Sequence, residues 1–200
     1  MDKFGKSQPV RRLEDVRFLT GQGRYVDDIV PDGALHAVFV RAQVAHGVLT
    51  PVDLTEVRGM PGVALALAAE DLAAMGVDFS LGTSVVTNRD GSKGADPARP
   101  ILARGKVRFV GEPIAVIVGE TRQAARDAVE AVWPEIDELG AKIDLAPGGD
   151  TIHDEAPDNM AFDWTMGDAE GVAGAIAGAA HVVTTHVVDN RIISLSLIHI

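Results

Sequence analysis

Apolar and polar positions are most sharply ordered between Lys106 and Val132. Val107 to Val110 alternates, and Gly111-Glu112-Pro113 then makes a corner. Ile114 to Val118 is apolar at every position. Such a run between turn signals predicts a strand covered on both faces. Gly119-Glu120 breaks it, and Thr121 follows as an N-cap whose hydroxyl can accept from an orphan amide in the first helical turn. Ala124, Ala125, Ala128, Val129 and Val132 recur at helical spacing, with Arg122, Arg126, Asp127 and Glu130 on the other side. Pro134 ends the helix. The pattern predicts a buried strand feeding a helix that packs back on its own sheet.

The shorter segments need such a unit to pack against. Ala34 to Arg41 reads as a strand after a Pro31-Asp32-Gly33 turn. A short helix is predicted within 52–60, stopped by Pro61-Gly62. Val63 to Ala68 reads as a second buried strand, and Glu70 to Met75 as a short helix capped by Gly76. Residues 80–99 hold Gly82, Gly91, Gly94 and Pro97 without an apolar period, which predicts a surface loop. Past Pro134, a weak strand is predicted over Ala141–Leu145, a turn at 147–150 and a polar loop at 153–159. A short strand around Phe162 and Trp164, an Ala/Gly-rich helix over Gly171–Ala180 and a Val/Thr-rich strand over His181–Asn190 complete the string. Residues 1–33 form a polar, Gly-rich arm, expected to lie extended with Phe18, Leu19, Tyr25 and Val26 as anchors. The order of elements predicts an α+β, or mixed α/β, domain.

Composition narrows the function. A net charge of -11 argues against nucleic acid and against an anionic membrane surface as partners. The chain has no cysteine, which removes disulfides, Cys-ligated zinc and iron–sulfur clusters from this chain. No apolar run approaches the roughly 18 residues of a membrane span, and Met1 to Pro9 lacks the apolar core of a signal peptide. The expected location is the cytoplasm.

The candidate chemistry is sparse. Gly21 and Gly23 make a GxG, but no apolar strand precedes it and no third glycine follows, so it reads as part of the arm. The six histidines are His36, His46, His153, His181, His186 and His199, and none falls in a recognised ligand spacing. His153-Asp154-Glu155 offers metal-ligating groups in an exposed acidic loop. His181 and His186 would fall on opposite faces of a strand. Ser80, Ser84 and Ser92 lack an evident base. Glu112, at the corner before the apolar strand, either reaches a ligand or a neighbouring domain, or satisfies nearby backbone amides; the structural role is favoured. Residue chemistry assigns no catalytic, cofactor-binding or metal-ligating residue within this chain.

Several stretches taken together point to a family. RRLEDVRFLTGQGRYVDDI (11–29), LHAVFVRA (35–42) and KVRFVGEPIAVIVGET (106–121) resemble the start of the molybdopterin-binding large subunit of the xanthine dehydrogenase / aldehyde oxidase family, nearest to the carbon monoxide dehydrogenase type. IHDEAPDNMAFDWTMGD (152–168) and AAHVVTTHVVDNRI (179–192) fit the same register. The resemblance implies an N-terminal arm at 1–29, an α/β-hammerhead domain at 30–140 and, at 141–192, the truncated start of the molybdenum-cofactor-binding region. It implies an intact enzyme that oxidises aldehydes, N-heterocycles or carbon monoxide at a molybdenum–pterin cofactor. Electrons would pass to iron–sulfur and FAD subunits or domains. The family's glycine-rich cofactor motifs and catalytic glutamate lie downstream of this chain, so no such residue is carried over, and the fragment itself is expected to be structural and inactive.

Departures from the family pattern occur at Ala42-Gln43-Val44-Ala45-His46-Gly47, at Trp133-Pro134-Glu135, where the proline should weaken a strand, and at Ile193–Ile200, expected to be a non-native tail. A second reading is a stand-alone hammerhead interaction module assembling with a separate cofactor-binding chain. A third is a small enzyme using Glu112 and a nearby histidine.

Overall fold

The computed structural model describes residues 12–77 and 85–189, which fall into two compact units. The expected tail at 193–200, Ser80, Ser84 and His199 lie outside the described residues.

The smaller unit contains the arm. Instead of lying extended, the arm makes one helical turn, α1 (Asp15–Leu19), and a 3-10 turn at Val26–Asp28. Phe18 stacks on Tyr25 with ring centroids 6.1 Å apart, and a Cβ at Gly23 would meet the Phe18 ring at 2.7 Å. The glycine of the GxG thus makes room for an aromatic pair. Residues 182–189 carry no regular structure, contrary to the strand expected over 181–190, and their Val side chains are exposed.

The larger unit, Leu35–His181, is built on two small antiparallel sheets. In chain order its elements are β1 (His36–Arg41), β2 (Gly47–Leu49), α2 (Thr55–Arg58), β3 (Val63–Ala68), α3 (Ala69–Ala74), β4 (Lys106–Val107), β5 (Pro113–Gly119), α4 (Arg122–Glu130), β6 (Ile136–Glu138) and α5 (Ala169–Ala177). One sheet has the order β1-β5-β3, the other β4-β2-β6. The apolar run of the sequence is therefore the central strand, and α4 packs back on it with Ala125 and Ala128 fully buried.

The two faces of the first sheet differ. Val40, Ala66, Ala68, Ala115 and Ile117 join Leu54, Val57, Ala128 and Val132 in one core. Side chains alternate along a strand, so the next residues face the other way. Two cross-strand rows result there: Phe39–Val116–Leu67 and Ala37–Val118–Leu65. Phe39 is 39 % exposed and Leu65 44 %, while Val116 and Val118 are half-buried. The expectation of a strand covered on both faces holds on one face only.

β5 also serves the second core. Its Ile114 lies with Ala42, Leu49, Ala103 and Val107, between the sheets. The second sheet depends on a close approach at Gly47. A Cβ there would stand 2.5 Å from Ile136 Cγ2 and 2.8 Å from Asp137 O. The strand expected at 141–145 is absent; the pairing occurs earlier, at Ile136–Glu138, two residues past Pro134. Nor do residues 162–164 form a regular strand.

Instead, the loops at 85–97 and 161–163 tie to each other. Ala95 N donates to Ala161 O at 2.7 Å, Arg89 N to Asp163 O at 2.8 Å, and Arg89 Nη2 pairs with Asp163 Oδ1 at 2.8 Å. Gly94 is where they meet: a Cβ would lie 3.0 Å from Ala161 O and 3.1 Å from Phe162 Cβ.

Candidate functional site

The corner that precedes β5 is fixed from several sides. Gly111 takes φ 87°, a conformation open chiefly to glycine. Its N–H donates to Ala42 O at 2.8 Å, and its carbonyl accepts from Arg41 Nη1 at 2.8 Å. Ala42 N returns a bond to Glu112 O at 2.9 Å. The Glu112 carboxylate is buried and accepts from Arg108 N at 2.5 Å. Glu112 therefore closes its own turn, as the structural reading expects. An acceptor engaged by a backbone amide of its own turn is poorly placed to act as a base for a substrate. The turn holds Phe109 and Val110 out in solvent.

Next to this corner lies a partly buried polar pair that periodicity does not reveal. Gly47 pairs with Val107 across β2 and β4, so one step further along the ladder sets His46 opposite Arg108. His46 is buried, and its Nδ1 lies 2.9 Å from Gly140 O. A contact to a carbonyl oxygen makes Nδ1 the donor. Nε2 and Arg108 Nε are both buried without a hydrogen-bond partner. A buried polar atom in that state costs about 1–3 kcal/mol. The sequence signal for His46 was the altered turn at 42–47, which marks a changed local structure but no role.

His153 stands near this pair. Burial pushes its imidazole below the ordinary pKa of 6.5, and the charges of Arg108 and His46 add to the effect, against Glu155 and Asp154. The His153-Asp154-Glu155 trio does not converge. His153 is half-buried against a hollow of about 310 Å³ with Val86, Ala95, Pro97, Arg99, Ala161 and Phe162. Asp154 instead reaches Lys106, with Oδ1 and Nζ 3.4 Å apart. Among the described residues no group of three or more His, Cys, Asp or Glu could hold a metal ion. His36 sits on β1, and His181 and His186 are exposed in irregular chain, where the argument from strand faces no longer applies. Ser92 Oγ donates to Asp90 Oδ1 at 2.6 Å and accepts from Asn88 Nδ2 at 2.9 Å, which closes a turn.

The architecture is of the mixed α/β hammerhead type, and relatives share it. Residues 20–139 match the family model described as "Aldehyde oxidase and xanthine dehydrogenase, a/b hammerhead domain". The chain belongs to that family. It is 36% identical over 186 residues to the nicotine 6-hydroxylase large subunit of Paenarthrobacter nicotinovorans, covering 90% of this chain and 21% of that protein. It is 32% identical over 195 residues to the carbon monoxide dehydrogenase large chain of Hydrogenophaga pseudoflava, with 90% and 23% covered. The crystal structure of the Cu,Mo-CO dehydrogenase in its carbon monoxide reduced state superposes with a TM-score of 0.66 at 27% identity, over 86% of this chain and 22% of that one. The chain thus spans under a quarter of the length of these relatives.

The family implies a molybdopterin cofactor, and the described residues do not fit that group. The glycines at positions 21, 33, 76, 91, 105, 111 and 148 all take positive φ, yet a Cβ at any of them would meet nothing within 4 Å. They mark open turns rather than a cradle closing on a ligand. The two orphaned nitrogens belong to His46 and Arg108, neither of which lines the hollow. No helix among the described residues is long and apolar enough to cross a membrane.

Proposed function

We propose that this chain is the N-terminal portion of the large subunit of a molybdenum-dependent hydroxylase or dehydrogenase, and that it braces the cofactor-binding domains without being catalytic itself. The observation that carries this reading is the half-exposed apolar face of the first sheet, with rows Phe39–Val116–Leu67 and Ala37–Val118–Leu65, in a chain of the hammerhead family. An apolar face of that kind marks a surface meant for contact. Its natural cover is the remainder of the subunit, since the relatives are several times longer.

In this reading residues 1–29 are an arm, 30–140 the hammerhead domain, 141–192 the entry to the molybdenum-cofactor region, and 193–200 a non-native tail. The intact enzyme oxidises aldehydes, N-heterocycles or carbon monoxide in the cytoplasm. Molybdopterin is held by the domains that follow, and iron–sulfur and FAD partners carry the electrons away. The relatives' names support the class of reaction; in this reading the substrate is set by those later domains.

The test is to sequence the source DNA from the codon of Asn190 onward. A reading frame that runs on into several hundred residues with glycine-rich cofactor motifs is the expected result. A stop codon directly after Ile200, with a separate gene for a cofactor-binding chain beside it, would overturn the reading in favour of a free-standing module.

A further inference from the structure

Charge is spread unevenly along this chain. Residues 171–188, between Glu170 and Asp189, hold no Asp, Glu, Lys or Arg. A net charge of -11 keeps copies of the chain apart, and this is a stretch where two copies can approach without like-charge repulsion. Its last part, His181 to Val188, reads HVVTTHVV. Apart from the two histidines every residue there is β-branched, and neither Gly nor Pro interrupts the run. Such side chains favour an extended, paired backbone.

Yet residues 181–189 belong to no ladder, and the four valines among them are between 58 % and 88 % exposed. No core holds the chain that leads to them. Helix α5 buries no residue. Among the described residues the backbone bonds past Asp163 are local, as from Val172 N to Asp168 O and from Gly178 N to Gly174 O.

As a strand, the segment has two faces of one composition. His181, Val183, Thr185 and Val187 fall on one side, and Val182, Thr184, His186 and Val188 on the other. A strand that lines a single core carries one polar face. This one has none and calls for cover on both. Copies of itself supply that cover. Stacked in register they set valine on valine and threonine on threonine, and two such sheets can interdigitate through either face.

We infer that residues 181–188 are a self-association element, through which copies of this chain add strand to strand in a cross-β stack. The larger unit need not unfold for this, because residues 164–180 intervene between the segment and the bonds that Asp163 makes to Asn88 and Arg89. The inference rests on the segment alone and does not depend on the proposed function.

The test uses the full 200-residue chain, incubated at neutral pH and followed by thioflavin fluorescence and sedimentation. Growth after a lag is expected, and the pelleted material should diffract at about 4.7–4.8 Å and about 10 Å. A synthetic HVVTTHVV peptide, aggregated beforehand, should shorten the lag several-fold. Val183→Lys puts a charge on one face, and Thr185→Pro removes a ladder donor. Each should abolish growth and leave the urea midpoint that of the parent, because no residue of 181–188 joins either core. A chain that stays monomeric, or a pellet without the two reflections, would overturn the inference. So would growth that persists in either variant, which assigns the association to another stretch, or a lag indifferent to the peptide seeds.

Discussion

Helices α4 and α5 are a natural experiment. Both are nine residues long, and both begin with a side-chain cap: Thr121 accepts from Ala124 N at 3.1 Å and Asp168 from Gly171 N at 2.8 Å. Yet α4 buries Ala125 and Ala128 against the first sheet, and α5 buries nothing. Local signals start both helices; only one receives tertiary support. Capping is worth about 1 kcal/mol, and burial of an apolar face several times that. The contrast extends to their surroundings. Residues 35–138 hold both cores, whereas residues 141–181 rely on turns such as those of Asn159, which donates to Gly148 O and Asp150 O.

That contrast can be broken most severely at the centre of β5. Ile117→Ala empties a site with 0% exposure, and the loss expected is about 2–5 kcal/mol by urea unfolding. Ile176→Ala in α5, 55% exposed, should change the midpoint within about 0.5 kcal/mol. Equal effects would mean that α5 is packed after all.

Glu112→Ala comes next. It leaves the part-buried amide of Arg108 unpaired, and about 1–3 kcal/mol should be lost. Glu112→Gln keeps an acceptor and should recover part of that. If both variants unfold like the parent, the corner does not depend on the carboxylate.

Thr121→Ala should cost about 1 kcal/mol of global stability because α4 folds with the sheet. Asp168→Ala should lower helix content near 222 nm without moving the unfolding midpoint, because α5 is coupled to no core.

The smallest effect is electrostatic. The fold holds the His153 pKa below its ordinary 6.5, so the unfolded chain binds the extra proton more readily. Stability should be highest above pH 6.5 and decline as pH falls through that value toward the depressed one. His153→Gln should flatten this part of the profile. A parent profile that stays flat between pH 7 and pH 5 would show that the imidazole is not desolvated.

The sequence was read correctly where one segment carried its own evidence. β5 and α4 announce themselves through a full apolar run, a cap and a helical stripe within one stretch. The three strands of the second sheet, at two or three residues each, are too short to show a period. They exist because Gly47 lets Ile136 and Asp137 come close, and a lone glycine does not say what approaches it. The expected strand at 141–145 rested on scattered apolar residues; Ile143 and Leu145 are exposed, and Lys142 pairs locally with Asp144. At the candidate site, Glu112 was legible because it sits in a Gly-Glu-Pro corner. The His46–Arg108 pair was not, because it is brought together only by the register of β2 on β4.

The position of β5 between β1 and β3 has a consequence for synthesis. The two outer strands are made first, and neither has a partner until the last of the three leaves the ribosome. Closing both long loops is an entropic cost met in a single late step. The nascent chain must therefore carry two bare, apolar strands through most of the time needed to make the domain. A chaperone that holds extended apolar segments should engage this polypeptide until Gly119 has emerged and release it soon afterwards.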